Sequence, residues 1–498
     1  MKGKLKIVFV FSAVFLLLQS CAVKKYIPEE ERLYTGATIE IKSDSLIKNE
    51  AQLKSMLEEA LRPEPNSKFL GMRPGLHYFY KMQQENPGFI NRFLYKQFGE
   101  EPVYQSDVKP YEVEEILINR MENRGFFYSE AISEFEEKEK EASVKYTITA
   151  PSPYTIARYQ VDSLPEPVYS AIKQSVANTK LSEGMRFDLS NMKLERERID
   201  SELKGNGFYN FNPGFLIFEA DTNQYDKRRF DLFLRLKNET PDKSIVPYKI
   251  DKINVYANYD AQDSLVRDVA RFNEKNFINS KDFFKPKYLD PYIILEEGQL
   301  YSPEDSRNTA RRLSSIGAYK FVNIQYTEDS LLTDSLGILE ANIFLSPLNK
   351  RAIRAELQAV SKSNNFAGPG LALTYSNRNL FQGGETLNIT ANFGYEIQAG
   401  GSSNSNSGRT SIELGLKNEL IFPRVLFPIK ISTDFFEYDI PKTKTSLGID
   451  YLSRTKLYAL LSGTAQFGYI WQANRYVTHE IIPISINYTK LSNTTPEF

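Results

Sequence analysis

Hydrophobic positions along the chain follow two textures. Up to about residue 348 they recur at helical spacing in stretches that close on a glycine followed by aromatic or small residues. The three closing blocks are Arg124-Gly125-Phe126-Phe127, Asn206-Gly207-Phe208-Tyr209 and Ile316-Gly317-Ala318-Tyr319. Met121, Leu203 and Leu313 lie four residues before each glycine, on the face a helix would bury. Glycine enters the left-handed region without a Cβ clash, so Gly125, Gly207 and Gly317 each predict the end of a helix and together mark a structural repeat. For the third helix, Ser302-Pro303-Glu304-Asp305 reads as the start, with a serine cap, proline in the first turn and acids at the positive end of the dipole.

Two strand-like runs follow each block: 128–135 and 144–149, 214–219 and 230–236, 321–326 and 338–345. Another precedes the helices of each unit, near 38–41, 154–161 and 248–256. The predicted unit is strand, helices, strand, strand, a small α+β module whose helices can bury one face of its sheet only from the same side. Three such modules are expected, at 36–150 with an insertion at about 60–108, at 151–240 and at 241–348. The marker glycines lie 82 and 110 residues apart, which predicts an insertion in the third module around Asp260 to Pro291.

From 349 to 498 the period becomes two. Leu387, Ile389, Ala391, Phe393 and Tyr395 alternate with polar or small residues, and so do Leu461, Ala465, Phe467, Tyr469 and Trp471. A soluble sandwich would show the same alternation. Small and polar residues on one face, with aromatics near strand ends, favour an antiparallel transmembrane β-barrel with a wet interior. The span has room for about six to eight strands at roughly ten residues each, so the barrel is expected to be incomplete and unable to span a membrane alone. Its first strand, about 351–360, is the candidate seam. A run near 480–488 is expected as a leftover strand, and a Ser/Asn/Gly-rich loop at 400–408. Asn377, Arg378, Asn379, Gly383 and Gly384 read as a turn at the barrel rim.

The N-terminus adds an address. Lys2, Lys4 and Lys6 precede an apolar run from Ile7 to Leu18, too short for a comfortable spanning helix and suited to a cleaved secretory signal over 1–20. Leu18-Gln19-Ser20-Cys21 resembles the bacterial lipobox, which implies lipid attachment at Cys21 and a lipid-anchored linker over 21–35. Cys21 is the only cysteine.

Composition narrows the function classes. With 62 basic and 63 acidic residues no charge excess points to nucleic acid. Aromatics reach 13%, which suits strands at a membrane interface. Only His77 and His479 exist, far apart in sequence, so the chain offers no histidine cluster for a metal and no catalytic triad; neither cofactor nor enzymatic activity is expected. The acidic runs Glu29-Glu30-Glu31 and 136–141 read as solvated faces.

The modules and four further blocks carry a family resemblance. The modules with their Gly-aromatic helix ends resemble POTRA (polypeptide-transport-associated) domains. Gly370 through Glu385, ending Asn377-Arg378-Asn379-Leu380-Phe381-Gln382-Gly383-Gly384-Glu385, resembles the early barrel of the BamA/TamA superfamily. Arg62-Pro63-Glu64-Pro65-Asn66, Gly99 to Val103 and Gly468 to Trp471 look like TamL, the lipoprotein variant of TamA. The resemblance implies assembly or translocation of outer-membrane proteins at the outer membrane, modules in the periplasm, unfolded outer-membrane clients and a TamB-like inner-membrane-anchored partner. A family barrel has sixteen strands, more than this span can supply. The alternative from another class is a pore, transporter or receptor barrel with periplasmic modules.

Overall fold

The computed structural model describes residues 23–494 apart from 70, 85, 226–227, 263–264, 267, 280, 282, 330–334, 364, 399–408, 427–434, 437 and 456. Cys21, the signal segment and the 400–408 loop lie outside the described residues.

In the first module, β1 (Leu33–Ser43) leads to α1 (Glu50–Glu58), α2 (Pro74–Met82), α3 (Phe89–Phe98) and α4 (Pro110–Glu122). Then come β2 (Glu130–Lys138) and β3 (Glu141–Ala150), in a sheet ordered β1-β3-β2 with β1 parallel to β3 and β2 antiparallel to it. Alternate residues of the central strand, Val144, Tyr146 and Ile148, are buried against Leu53 and Leu57 of α1 and Val113, Leu117 and Met121 of α4. Both helices therefore cover the same face. Each fully buried leucine is worth about 1.5–3 kcal/mol of transfer free energy. The insertion at 60–108 holds α2 and α3. The expected linker is not free from Val23 onward: Val23, Ile27 and Leu33 are buried with Leu76 and Tyr80 of α2, because their side chains complete an apolar cluster that α2 alone would leave open.

The second module repeats the order with β4 (Thr155–Val161), α5 (Val168–Val176), α6 (Leu189–Gly205), β5 (Leu216–Asp221) and β6 (Arg229–Leu236), its sheet running β4-β6-β5. The third begins with β7 (Tyr248–Tyr256). Its insertion forms the hairpin β8 (Val269–Phe272) and β9 (Lys275–Ile278) and the short α7 (Pro286–Leu289). α8 (Pro303–Ser315), β10 (Tyr319–Glu328) and β11 (Gly337–Pro347) complete it. β9 pairs in parallel with the end of β7, so the insertion widens the sheet to five strands, β10-β11-β7-β9-β8. Leu313 of α8 packs on Ile343 and Leu345 of β11 in the core. The cap of α8 is as its sequence reads: Ser302 Oγ accepts from the Asp305 N–H at 3.2 Å.

The remaining strands form one antiparallel meander: β12 (Arg351–Ser361), β13 (Phe366–Arg378), β14 (Thr386–Gln398), β15 (Thr410–Phe422), β16 (Lys442–Arg454), β17 (Tyr458–Gln472) and β18 (Thr478–Ser492). Among the described residues this seven-stranded sheet does not close, and β12 and β18 are its two edges. Register aligns Ala355, Leu373, Ala391, Leu416, Ile449 and Gly463 across one face. Ile353, Leu357, Phe393, Leu414, Leu447 and Ile486 lie exposed on that same face. The opposite face carries Thr374, Thr390, Lys417, Ser446 and Gln466. This is an apolar-out, polar-in arrangement with strands long enough to cross a bilayer at a tilt.

Candidate functional site

Two recurring joints are built from the marker glycines. Gly125, Gly207 and Gly317 all adopt the left-handed region, at φ of 84°, 96° and 79°. Met121, Leu203 and Leu313, four residues upstream, are each fully buried. The glycines do more than end helices. The Gly125 carbonyl accepts from the N–H of Tyr154 at 2.9 Å, and the Gly207 carbonyl accepts from the N–H of Tyr248 at 2.8 Å. Both donors sit at or just before the first strand of the following module.

A Cβ on Gly125 would stand 2.8 Å from the Phe187 carbonyl oxygen, and one on Gly207 would stand 3.2 Å from Pro247 and 3.3 Å from Leu300. The aromatic two residues after each glycine completes the joint. Phe127 meets Tyr154 and Phe187 at ring separations of 5.5 and 5.3 Å; Tyr209 meets Tyr248 and Tyr301 at 5.9 and 4.9 Å. Such edge-on and tilted pairs add about 0.5–1.5 kcal/mol each beyond area burial. Burial holds the Tyr209 and Tyr248 phenols above their usual pKa. Asn210 donates to the Tyr248 hydroxyl at 2.8 Å.

Phe187 and Tyr301 close a second repeat that the sequence reading missed, Glu183-Gly184-Met185-Arg186-Phe187 and Glu297-Gly298-Gln299-Leu300-Tyr301. Each runs antiparallel beside the start of the module's first strand, as the bridges Thr155 to Arg186 and Lys249 to Leu300 show. Its signal was legible as Glu-Gly-x-x-aromatic. Beside the first joint, Arg124 pairs with the nearly buried Asp188, and Arg186 lies over the Phe126 ring at 5.0 Å.

The third joint fastens a module to the sheet. Here the Ala318 carbonyl accepts from Leu348 N–H at 2.9 Å, just before β12, and Tyr319 stacks on Phe284 at 6.0 Å. The turn between β13 and β14 docks on the same region. Asn377 and Arg378 end β13; Asn379, Gly383 and Gly384 lie in the turn itself. Asn379 donates to the Phe283 carbonyl at 2.6 Å and accepts from Gly384 N–H at 3.0 Å. Lys285 N–H donates to the Gln382 carbonyl at 2.9 Å. Gly384 has φ of 83°, and a Cβ there would stand 2.6 Å from Ile316 and 2.9 Å from Pro423. Among the described residues Asn377 and Arg378 make no hydrogen bond to a module; Arg378 donates to the Asn349 carbonyl at 3.1 Å and pairs in register with Thr386.

At the centre of this turn is Glu385, fully buried. One carboxylate oxygen accepts from the N–H groups of Phe381 and Gly383 at 3.1 and 3.0 Å; the other accepts from Arg424 at 2.6 Å. Burial alone would raise the pKa of Glu385. The Arg424 hydrogen bond and charge, with the backbone donors, outweigh it and leave the group below its usual value. Arg424 also donates to the Gly383 carbonyl at 3.1 Å and lies over the Tyr288 ring at 4.2 Å. Arg312 donates to the Phe436 carbonyl at 2.6 Å, and Tyr292, whose phenol burial pushes up, donates to the Pro423 carbonyl. A buried carboxylate with both oxygens satisfied and its cation held on a ring fixes one geometry for module and sheet. Glu385 closes the quoted motif, but Arg424, 39 residues later, had no local signal.

His77 is buried in the first module, and His479 faces Trp471 at 5.1 Å. Among the described residues no group of three His, Cys, Asp or Glu is placed to hold a metal ion.

The edges of the module sheets differ in chemistry. β2 carries Glu130, Glu134, Glu136 and Glu137, a charged edge of the kind that discourages pairing. β10 is ten residues long with only Lys320 and Glu328 charged, and Phe321 on it is 62% exposed.

No family model and no curated protein matches this chain. Among solved structures it is similar to POTRA3-5 of BamA from Haemophilus influenzae, at 10% identity over 64% of this chain and 99% of that one, with a TM-score of 0.29. It is also similar to BamA from Haemophilus ducreyi lacking POTRA domains 1-3, at 12% identity over 69% of this chain and 64% of that one, TM-score 0.34. CdiB from Acinetobacter baumannii gives 11%, 68% and 62%, with a TM-score of 0.27. The chain thus spans less than two thirds of the length of the latter two.

Proposed function

We propose that this protein assembles or translocates other outer-membrane proteins. The role is mechanical, not catalytic. In this reading the protein is tethered by lipid at Cys21, the seven-stranded sheet lies in the outer membrane with its apolar face to lipid, and the modules stand in the periplasm beside a TamB-like partner. The observation that carries the reading is the buried Glu385–Arg424 pair, which locks a wide apolar sheet to a module whose β10 edge has open backbone groups. An unfolded client strand adds to β10 through main-chain hydrogen bonds and reaches the membrane beside β12. β2, lined with glutamates, is the poorer template. A pore or transporter has no use for such an edge.

The test is depletion of the protein followed by quantitative proteomics of the outer membrane. Loss of a subset of barrel proteins is expected. An unchanged outer-membrane proteome with altered solute permeability would favour the pore instead.

A further inference from the structure

Beside the module–sheet junction a cavity of about 480 Å³ opens between α8 and the ends of β17 and β18. Five rings contribute to its lining: Phe435, Phe436, Tyr438, Trp471 and His479. Phe436 meets Trp471 edge-on at 6.1 Å, and Arg311 lies over Tyr438 at 4.1 Å. Register pairs Trp471 with His479, on the face of β17 that carries Leu461 and Phe467, one residue before β17 ends. The cavity therefore adjoins the apolar face at the end where the strands meet the module.

Two carboxylates line the same cavity. Asp439 is 5% exposed; one of its oxygens is 3.8 Å from Lys442 Nζ, and the other, Oδ1, takes no hydrogen bond among the described residues. Glu304 is exposed and has no partner among them. A buried acceptor lacking a donor calls for an N–H group, and ring faces attract a cation. Arg311, over the Tyr438 ring and with no ion pair among the described residues, offers N–H donors to an anion.

We propose that this cavity binds the phosphoethanolamine headgroup of a membrane phospholipid. The ammonium lies among the rings and donates to Asp439 and Glu304, the phosphate meets Arg311, and the acyl chains follow the apolar face past Phe467 and Ile484. A trimethylated ammonium has no N–H to give Asp439 Oδ1, so phosphocholine fits less well. The proposal rests on the sheet being membrane-embedded.

Trp471 is the only tryptophan, so the emission of the full chain reads this cavity without a label. The detergent-solubilised protein is titrated with diheptanoyl phosphatidylethanolamine, phosphatidylcholine and phosphatidylglycerol. A saturable shift is expected with the ethanolamine lipid at roughly tenfold lower concentration than with the glycerol lipid, with choline between. Asp439→Asn and Glu304→Gln should each weaken it several-fold; Glu304 is exposed, so its replacement leaves folding intact. Equal responses to all three lipids, no response, or variants that match the parent would overturn the proposal. So would a response to free phosphoethanolamine as strong as to the lipid, or one to a lysine-rich peptide alone. Flotation with vesicles of phosphatidylglycerol only tests the membrane reading separately: failure to float sinks that reading, whereas flotation with a headgroup-blind Trp471 sinks only this one.

Discussion

The carbonyl of Gly207 accepts a 2.8 Å hydrogen bond from the backbone N–H of Tyr248, so the residue that ends one module's helix also holds the first strand of the next. Gly125 and Tyr154 repeat the relationship at 2.9 Å. The three marker glycines should therefore differ in how they tolerate a side chain. Gly317→Ala meets nothing within 4 Å and bears only the left-handed backbone, about 1 kcal/mol. Gly207→Ala adds tight contacts to Pro247 and Leu300. Gly125→Ala also presses on backbone at Phe187 and should lose the most, about 2–3 kcal/mol. Denaturant melts of the three variants give the ranking, and equal losses would refute the joint.

Glu385→Ala should loosen the third module from the sheet by roughly 3 kcal/mol, because it strands Arg424 and two backbone donors. Limited proteolysis should then cut the 379–385 turn first. The Glu385 pKa is lowered in the folded protein, so its contribution is complete above the ordinary carboxylate range and is lost as pH falls through the depressed value. Between pH 7 and 5 the junction should hold unchanged.

His77 gives the opposite window. Burial, then the charges of Lys81 and Lys25, hold its pKa below 6.5, so the unfolded chain binds a proton more readily than the folded one. Stability of the cluster around Leu76 and Tyr80 should be full above pH 6.5 and decline as pH falls below it. Hydrogen exchange of 74–82 at pH 7.5 and 5.5 measures this, and His77→Gln should flatten the difference.

Cys21 is the only cysteine, so a single added cysteine reports one position. With a client present, Gln325→Cys on β10 should cross-link to it, while Glu134→Cys on β2 should not. Cross-linking at both positions to the same extent would remove the charge argument for edge choice.

Radiolabelled palmitate should enter the parent protein and be absent from Cys21→Ala. Equal labelling of the two would end the lipoprotein reading.

Local chemistry made much of the architecture legible. Period 3.6 closing on Gly125, Gly207 and Gly317 placed the last helix of each module, and period two after residue 349 placed the sheet and its apolar face, because both follow from backbone geometry that each residue senses within a few neighbours. The linker over 21–35 was misjudged from Val23 onward, since the partners that bury Val23 and Ile27 lie about fifty residues away on α2. The insertion at 260–291 could be placed along the chain but not in the fold. Whether β9 joins the sheet depends on the edge of β7 that β11 leaves free. Glu385 needed Arg424, which comes 39 residues later in the chain. Such pairs are chosen by which surfaces meet, and burial then turns an ordinary charge into one that must find its partner. The sequence by itself determined elements and faces through short-range sterics and periodicity. Only the tertiary structure decided the joints, because desolvation acts between groups that folding brings together.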